Sequence, residues 1–326
     1  MMFRGKAWLL ALVVATVLLF AVGRFFYTWY GPGPLAKDTT FVVPDGVALW
    51  SISAKLEKEG AIPSASSFRA HAKLFGSDEP IKAGEFLLPR HASASEILKI
   101  LQGAEGTIRR MVTVPEGLPS IMVYERLMNQ PLLTGRVAVP EEGSVLPDSY
   151  AFQRGESREA VLKRMQAAMD KTLAELWAKR SPDTVAKTPR DAVILASIVE
   201  KETGKPSERG MVAGLYSNRV RKGMLLQADP TIIYPITKGK PLGRRIRQSE
   251  IQAVNDYNTY TMVGLPKGPI TNPGRASIEA VLNPAKTEAI YMVADGTGGH
   301  VFASTLQEHN ANVAKWFALR RQRGEL

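Results

Sequence analysis

The chain has 326 residues, with 42 Lys and Arg against 31 Asp and Glu and a formal charge of +11. That length predicts two or three folded units with ample core, and the charge favours acidic partners: nucleic acid, anionic lipid or a carboxylate-bearing polymer. The absence of cysteine excludes disulfides, thiol catalysis and Cys-based zinc sites.

Two further classes are not expected. The four histidines, His71, His91, His300 and His309, form no His-Glu-x-x-His pattern, so neither a metal site nor a cofactor is predicted. No RNA-binding aromatic signature, zinc finger or long basic block is present, which argues against a nucleic-acid partner.

Residues 7–23 form a run in which Thr16 is the only polar side chain, followed by Arg24 and the aromatics Phe25, Phe26, Tyr27, Trp29 and Tyr30. Arg24 can snorkel and the aromatics suit a membrane interface, so residues 7–30 read as a transmembrane anchor. Arg4 and Lys6 make residues 1–6 a cytoplasmic tail and put the rest of the chain outside. The rival is a signal peptide cleaved near Ala21-Val-Gly23; the aromatic belt, which continues the span, favours a retained anchor. Gly31-Pro-Gly-Pro34 then reads as a linker.

Residues 38–104 read as a small βα module. Phe41-Val-Val-Pro-Asp-Gly46 is a strand entering a turn, and 47–58, with Leu49, Trp50, Ile52 and Leu56, is an amphipathic helix. Ile81-Lys-Ala-Gly-Glu-Phe-Leu-Leu-Pro89 is turn and strand, and 95–101 is a second helix. The alternative to a binding module is a purely structural βα unit.

Residues 105–155 repeat that opening. Thr113-Val-Pro-Glu-Gly117 matches Val42-Val-Pro-Asp-Gly46, and Leu127 falls where Leu56 did. Residues 140–150 are a turn-rich connection. From 158 to 179, Val161, Leu162, Met165, Met169, Leu173 and Leu176 repeat at helical spacing.

Residues 188–204 carry their own punctuation. Thr188 can cap a helix, Pro189 suits its first turn, Asp191 can reach back to complete the cap, and Gly204 suits a left-handed terminator. The interior is apolar all round, which predicts a helix buried at a domain centre. Glu200 and Glu202 sit in its last turn. Burial and the carbonyl end of the helix would both raise a carboxyl pKa there, as a general acid requires; a turn emerging into solvent as a Glu-Lys-Glu cluster is the alternative.

Beyond it, 208–222 reads as a helix with Val212, Leu215, Tyr216 and Val220 inward. Gln227 and Asp229 are placed in a loop, and 256–273 in a polar-aromatic loop. Residues 291–302 form a hairpin whose Gly-Thr-Gly-Gly run is a turn rather than a phosphate loop, and 306–321 is a closing helix. No Gly-x-Ser-x-Gly, Ser-x-x-Lys, Walker or dinucleotide glycine pattern occurs. Carboxylates, amides and tyrosines remain, the side chains that grip sugars and cleave glycosidic bonds.

The strand, turn and helix of 38–104, answered by Ala83-Gly-Glu-Phe-Leu-Leu-Pro89, resemble a LysM domain, although Val47-Ala48 stands where that family usually has Asp-Thr. More specifically, Ile198-Val-Glu-Lys-Glu-Thr203, Ser207-Glu-Arg209, Gly223-Met-Leu-Leu-Gln-Ala-Asp-Pro-Thr231, Tyr257-Asn-Thr-Tyr260, Gly264-Leu-Pro266 and Asp295-Gly-Thr-Gly-Gly-His-Val-Phe302 resemble the endolytic murein transglycosylases, the MltG or YceG-like family. Asp256 departs from that pattern, in which alanine is commoner.

The resemblance implies an α+β fold: an N-terminal transmembrane helix, a small LysM-like βα module, and an α+β catalytic domain over 156–326. It implies a single-pass protein of the bacterial inner membrane that cuts peptidoglycan glycan strands between N-acetylmuramic acid and N-acetylglucosamine, leaves a 1,6-anhydro end and terminates strand elongation. A hydrolytic muramidase and a non-catalytic wall-binding scaffold are the alternatives. Implied partners are peptidoglycan strands, membrane lipid and peptidoglycan synthases.

Periodicity does not choose between Glu200 and Glu202. The pair Glu202-Thr203 resembles the Glu-Ser pair of wider lytic transglycosylases, which assigns Glu202 as acid/base and leaves Glu200 and Thr203 in support. Gln227, Asp229, Tyr257, Asn258 and Tyr260 are assigned to the glycan cleft, each with a structural hydrogen-bonding role as its alternative.

Overall fold

The computed structural model describes residues 2–44, 46–103 and 106–325. Asp45 of the expected Pro-Asp-Gly turn and Ala104, the last residue of the expected module, lie outside the described residues. The chain divides into two compact units, Met1–Arg110 and Met111–Leu326; residues 111–155 thus share a unit with 156–326.

The first unit opens with α1 (Met2–Tyr30), whose stretch Leu12–Tyr30 is long and apolar enough to cross a membrane, with a mean hydropathy of 1.8. The aromatics at its end are not all free for an interface. Trp29 is buried in the core of this unit, and the Phe25 and Trp29 rings stack on His71 at centroid distances of 4.2 and 5.5 Å. The reason is spacing: four residues apart, the two rings share one helix face.

After α1 come β1 (Thr39–Val43), α2 (Leu49–Lys58), α3 (Ala65–Phe75), β2 (Gly84–Leu88) and α4 (Ala94–Gln102). β1 and β2 pair antiparallel from Thr39↔Leu88 to Val43↔Gly84. Phe41, Ile52, Leu56, Phe68, Phe86, Leu88, Ile97 and Leu101 fill the space between strands and helices. Two expectations change here. Trp50 points to solvent, 67% exposed, because the inward face of α2 is set by Ile52 and Leu56. Helix α3 was not foreseen; Ser64 caps it by accepting a hydrogen bond from the Ser67 amide at 3.3 Å.

The boundary falls just after the first residue of β3 (Arg110–Thr113), and the second unit continues with α5 (Ser120–Met128), β4 (Ser149–Phe152) and α6 (Arg158–Ala178). β3 pairs with β4. The turn glycines Gly46 and Gly117 both take φ of +70°, and Leu56 and Leu127 are both fully buried. The buried Arg158 guanidinium donates to the carbonyls of Leu127, Gln130 and Gly135, which fixes the chain leaving α5.

Then follow α7 (Pro189–Glu202), α8 (Arg209–Arg221), α9 (Asp229–Thr237), α10 (Gln248–Ile251), α11 (Arg275–Leu282), β5 (Tyr291–Ala294), β6 (His300–Ala303) and α12 (Leu306–Gln322). Helix α7 is the buried rod that its composition predicts. Its Thr188–Asp191 capping box is complete, and Leu195, Ile198 and Val199 pack with Val212 and Tyr216 of α8 and Ile278 of α11.

The end of α7 differs from expectation. Gly204 does not take a left-handed turn; Thr203 ends the helix in extended geometry, its hydroxyl accepting from the Lys205 amide at 3.1 Å. Pro206 then pushes Lys205, the residue before it, to extended backbone, and a new 3-10 turn starts at once, over Pro206–Glu208. Asp229 is also not in a loop: it opens α9. The hairpin β5–β6 and closing helix α12 form where the alternation and periodicity place them.

Candidate active site

Helix α7 delivers Glu202 at the end of an apolar rod, so its carboxyl enters a surface that offers little hydration. One oxygen, Oε1, is buried without a hydrogen-bond partner. Burial, reinforced by the negative charge of Asp229, pushes the Glu202 carboxyl up to about 7; the Tyr216 hydroxyl and the Arg219 guanidinium oppose the rise without cancelling it. A carboxyl poised there is half protonated at neutral pH and can give or take a proton with little driving-force penalty.

Three elements bring those neighbours in. Tyr216 and Arg219 stand three residues apart on one face of α8, both buried. The Arg219 side chain is anchored by its own donors, Nε to the Ile290 carbonyl at 2.7 Å and Nη1 to the Leu226 carbonyl at 2.8 Å. Burial and the adjoining Glu202 charge hold the Tyr216 phenol well above its ordinary range, so it stays a neutral donor. Asp229 sits in the first turn of α9, where free amides favour a carboxylate, and accepts from the Tyr260 hydroxyl at 2.6 Å.

The segment before α9 is held under strain. Gln227 takes φ of +52°, a left-handed conformation uncommon outside glycine. Its amide donates to the Thr259 carbonyl at 3.1 Å, and its Oε1 lies 3.4 Å from Arg219 Nη1. Thr231 and Thr259, both fully buried, hydrogen-bond at 2.9 Å and tie the polar-aromatic loop to α9.

Of the residues singled out from sequence, Glu202, Asp229, Gln227 and Tyr260 converge around this centre. The others go elsewhere. Asn258 is fully buried and spends its amide on the carbonyls of Ile251 and Ala253, at 2.9 and 2.7 Å, while its oxygen accepts from the Tyr260 amide. It shapes the loop that presents Tyr260. Tyr257 packs its ring against Tyr234, centroids 4.9 Å apart and tilted by 45°.

Glu200 faces α11, accepting from the Gly274 amide at 2.9 Å and pairing with Arg209 at 3.6 Å. The like charge that raises Glu202 therefore comes from Asp229 and not from Glu200. Thr203 turns toward the Lys205 backbone and Glu208.

Sequence reasoning missed the functional side of Tyr216, read only as a core residue, and missed Arg219 altogether. The available signal was a cation placed on an otherwise apolar helix face. It also left Glu208 and His300 unconnected. Glu208 accepts from His300 Nδ1 at 2.8 Å and from the His300 amide at 3.1 Å, and Asp295 accepts from the amides of Thr297 and Gly299. This clamps the glycine-rich hairpin turn onto the segment that immediately follows Glu202.

A buried, half-protonated carboxyl with a second carboxylate, a phenol and a guanidinium beside it defines a general acid/base site of the kind that cleaves glycosidic bonds. Residues 41–315 match the model of the YceG-like family, and the chain belongs to that family.

Its relatives include two proteins named endolytic murein transglycosylase. The one from Streptococcus pneumoniae strain D39 is 28% identical over 95% of this chain, and the chain spans 65% of that relative, less than two thirds of its length. The one from Bacillus subtilis strain 168 is 27% identical, with 92% of each chain covered. A crystal structure of a putative yceG-like protein from Listeria monocytogenes superposes with a TM-score of 0.54 at 27% identity, covering 84% of this chain and 98% of the other.

Proposed function

We propose that the chain is an endolytic peptidoglycan lytic transglycosylase, anchored in the bacterial inner membrane by α1 with its amino terminus in the cytoplasm. The observation that carries this reading is the Glu202 carboxyl, buried and raised to about 7, in a chain whose relatives bear that activity in their names. Protonated Glu202 gives its proton to the oxygen joining muramic acid C1 to the next glucosamine, and the C1–O bond breaks. The cation at C1 is met by the muramic C6 hydroxyl of the same sugar. As the new C6–O–C1 bond closes, the hydroxyl proton passes to the Glu202 carboxylate, which restores the acid; no water is consumed.

The neighbours have separate tasks. Asp229, oriented by Tyr260, stabilises positive charge as it develops at C1. Tyr216 and Arg219 stabilise the carboxylate that Glu202 becomes after the first transfer. Gln227 offers its amide to the glycan, and Tyr260 a ring edge.

In the first unit, the solvent-facing Trp50 ring, with Arg69 over it at 5.8 Å, supports a glycan-contacting role for the LysM-like module. An external active site on a membrane-anchored chain suits cleavage of strands as they emerge from peptidoglycan synthases. The net charge of +11 suits anionic headgroups and the carboxylates of the wall.

A digest of purified peptidoglycan strands with the full chain in detergent tests the reaction. Muropeptides one water lighter than the reducing-end products are expected. Reducing ends alone would replace the reading with a muramidase in which Asp229 activates water, and no cleavage would favour a wall-binding scaffold.

A further inference from the structure

Beside the proposed active site, and built from the same two helices, lies a cavity of about 430 Å³ with mostly apolar walls. Lys201 lines it on α7, adjacent in sequence to Glu202. Pro230 and Ile233 line it on α9, the first next to Asp229 and the second one turn along on the face of Asp229. Met122 and Ile270 complete the apolar part, and Lys240 stands at its rim. The wall near Lys240 exists only because Gly239 takes φ of +84°; a Cβ there would meet Pro119 Cβ at 2.7 Å.

The charges are unequal in availability. Lys240 is held by Glu125 at 2.5 Å, whereas Lys201 makes no ion pair among the described residues and its side chain reaches solvent. An apolar trough with one uncommitted ammonium at its mouth suits a ligand that buries some apolar surface and carries a carboxylate. Nothing in the acid/base chemistry at Glu202 requires such a trough.

Resting on the lytic reading above, we propose that this cavity is a subsite for the short acidic peptide carried on the lactyl group of the muramic acid whose C1 reacts, with Lys201 pairing to a peptide carboxylate. Reach supports the assignment. Lys201 and Glu202 are successive residues of the last turn of α7, and a peptide of three extended residues spans about 10 Å from the muramic acid whose glycosidic oxygen Glu202 protonates. The pairing sets specificity: the enzyme distinguishes peptide-bearing glycan from bare glycan, although both contain the same scissile bond.

The test has a kinetic arm and a binding arm, both on the full chain in detergent. Strands bearing stem peptides are compared with the same strands stripped by an amidase. The expected kcat/KM ratio favours the peptide-bearing strands about fivefold or more, the scale of one accessible ion pair with some apolar burial. Lys201→Met and Met122→Trp, the latter filling the trough, bring that ratio toward one.

In the binding arm, Glu202→Gln protein is titrated with a disaccharide-peptide and with the peptide-free disaccharide. The peptide form is expected to bind about fivefold more tightly, a difference that Lys201→Met abolishes. A ratio of one in the wild type, or equal affinities, overturns the subsite. So does tighter binding of a short-chain anionic phospholipid than of the disaccharide-peptide, which would make the trough a lipid site. Absence of anhydro ends from every substrate overturns the lytic reading, while the binding arm still decides the subsite.

Discussion

Replacing Glu202 by Gln removes an acid and also a pH-dependent load on the fold. The Glu202 carboxyl stands at about 7 in the folded chain against an ordinary 4.5. Its folded pKa is the higher one, so the folded state prefers the protonated form. The contribution to stability is full below pH 4.5, declines between 4.5 and 7, and is lost above. A shift of that size corresponds to about 3 kcal/mol.

Glu202→Gln keeps the shape and cannot ionise. Urea unfolding of both full-length proteins from pH 4 to 8.5 should show the variant gaining on the wild type by about 3 kcal/mol across the window. Taking the difference between the two proteins at each pH cancels every other titrating group. The same variant should lose at least about a hundredfold in strand cleavage, the usual cost of a missing general acid. A stability difference that stays flat with pH would refute the buried-acid argument, whatever happened to activity.

Three further predictions separate the neighbours. Wild-type kcat/KM should fall tenfold per pH unit above about pH 7, and Asp229→Asn, which removes the charge that helps raise Glu202, should move that limb to lower pH; an unmoved limb would clear Asp229 of the role. Glu200→Gln should lower stability by about 1 kcal/mol, through the weakened contacts to Gly274 and Arg209, and leave the pH limb in place. Gly239→Ala should cost about 2 kcal/mol in urea unfolding, because the added methyl meets Pro119 and the residue is held at positive φ.

Much of the fold was legible because it is locally encoded. The capping box of Thr188 and Asp191, the apolar interior of α7 and the alternation of β5 and β6 are written within a few residues of where they act. The misses occur where packing or a neighbouring contact chooses between options the local pattern leaves open. Trp50 has a hydrophobic ring on a predicted amphipathic helix, yet the burial of Ile52 and Leu56 turns it outward. Gly204 has the freedom for a left-handed stop, yet Thr203 has already left the helix in extended geometry, its hydroxyl accepting from the Lys205 amide.

The site followed the same rule, and the division of labour between the two glutamates shows why. Glu200 and Glu202 are two residues apart on one helix, so about 200° separates their side chains, and periodicity alone gives each a plausible apolar wall. The choice is made by what waits on either side. Toward Glu200 stand the Gly274 amide and Arg209, which occupy its oxygens with a hydrogen bond and an ion pair. Toward Glu202 stands Asp229, which penalises an ionised carboxylate, in a surround that leaves Oε1 without a partner. A catalytic acid needs the second environment. Asp229 lies 27 positions further along the chain, at the head of a helix that local pattern did not reveal, so its pairing with Glu202 became visible only when α7 and α9 were brought together.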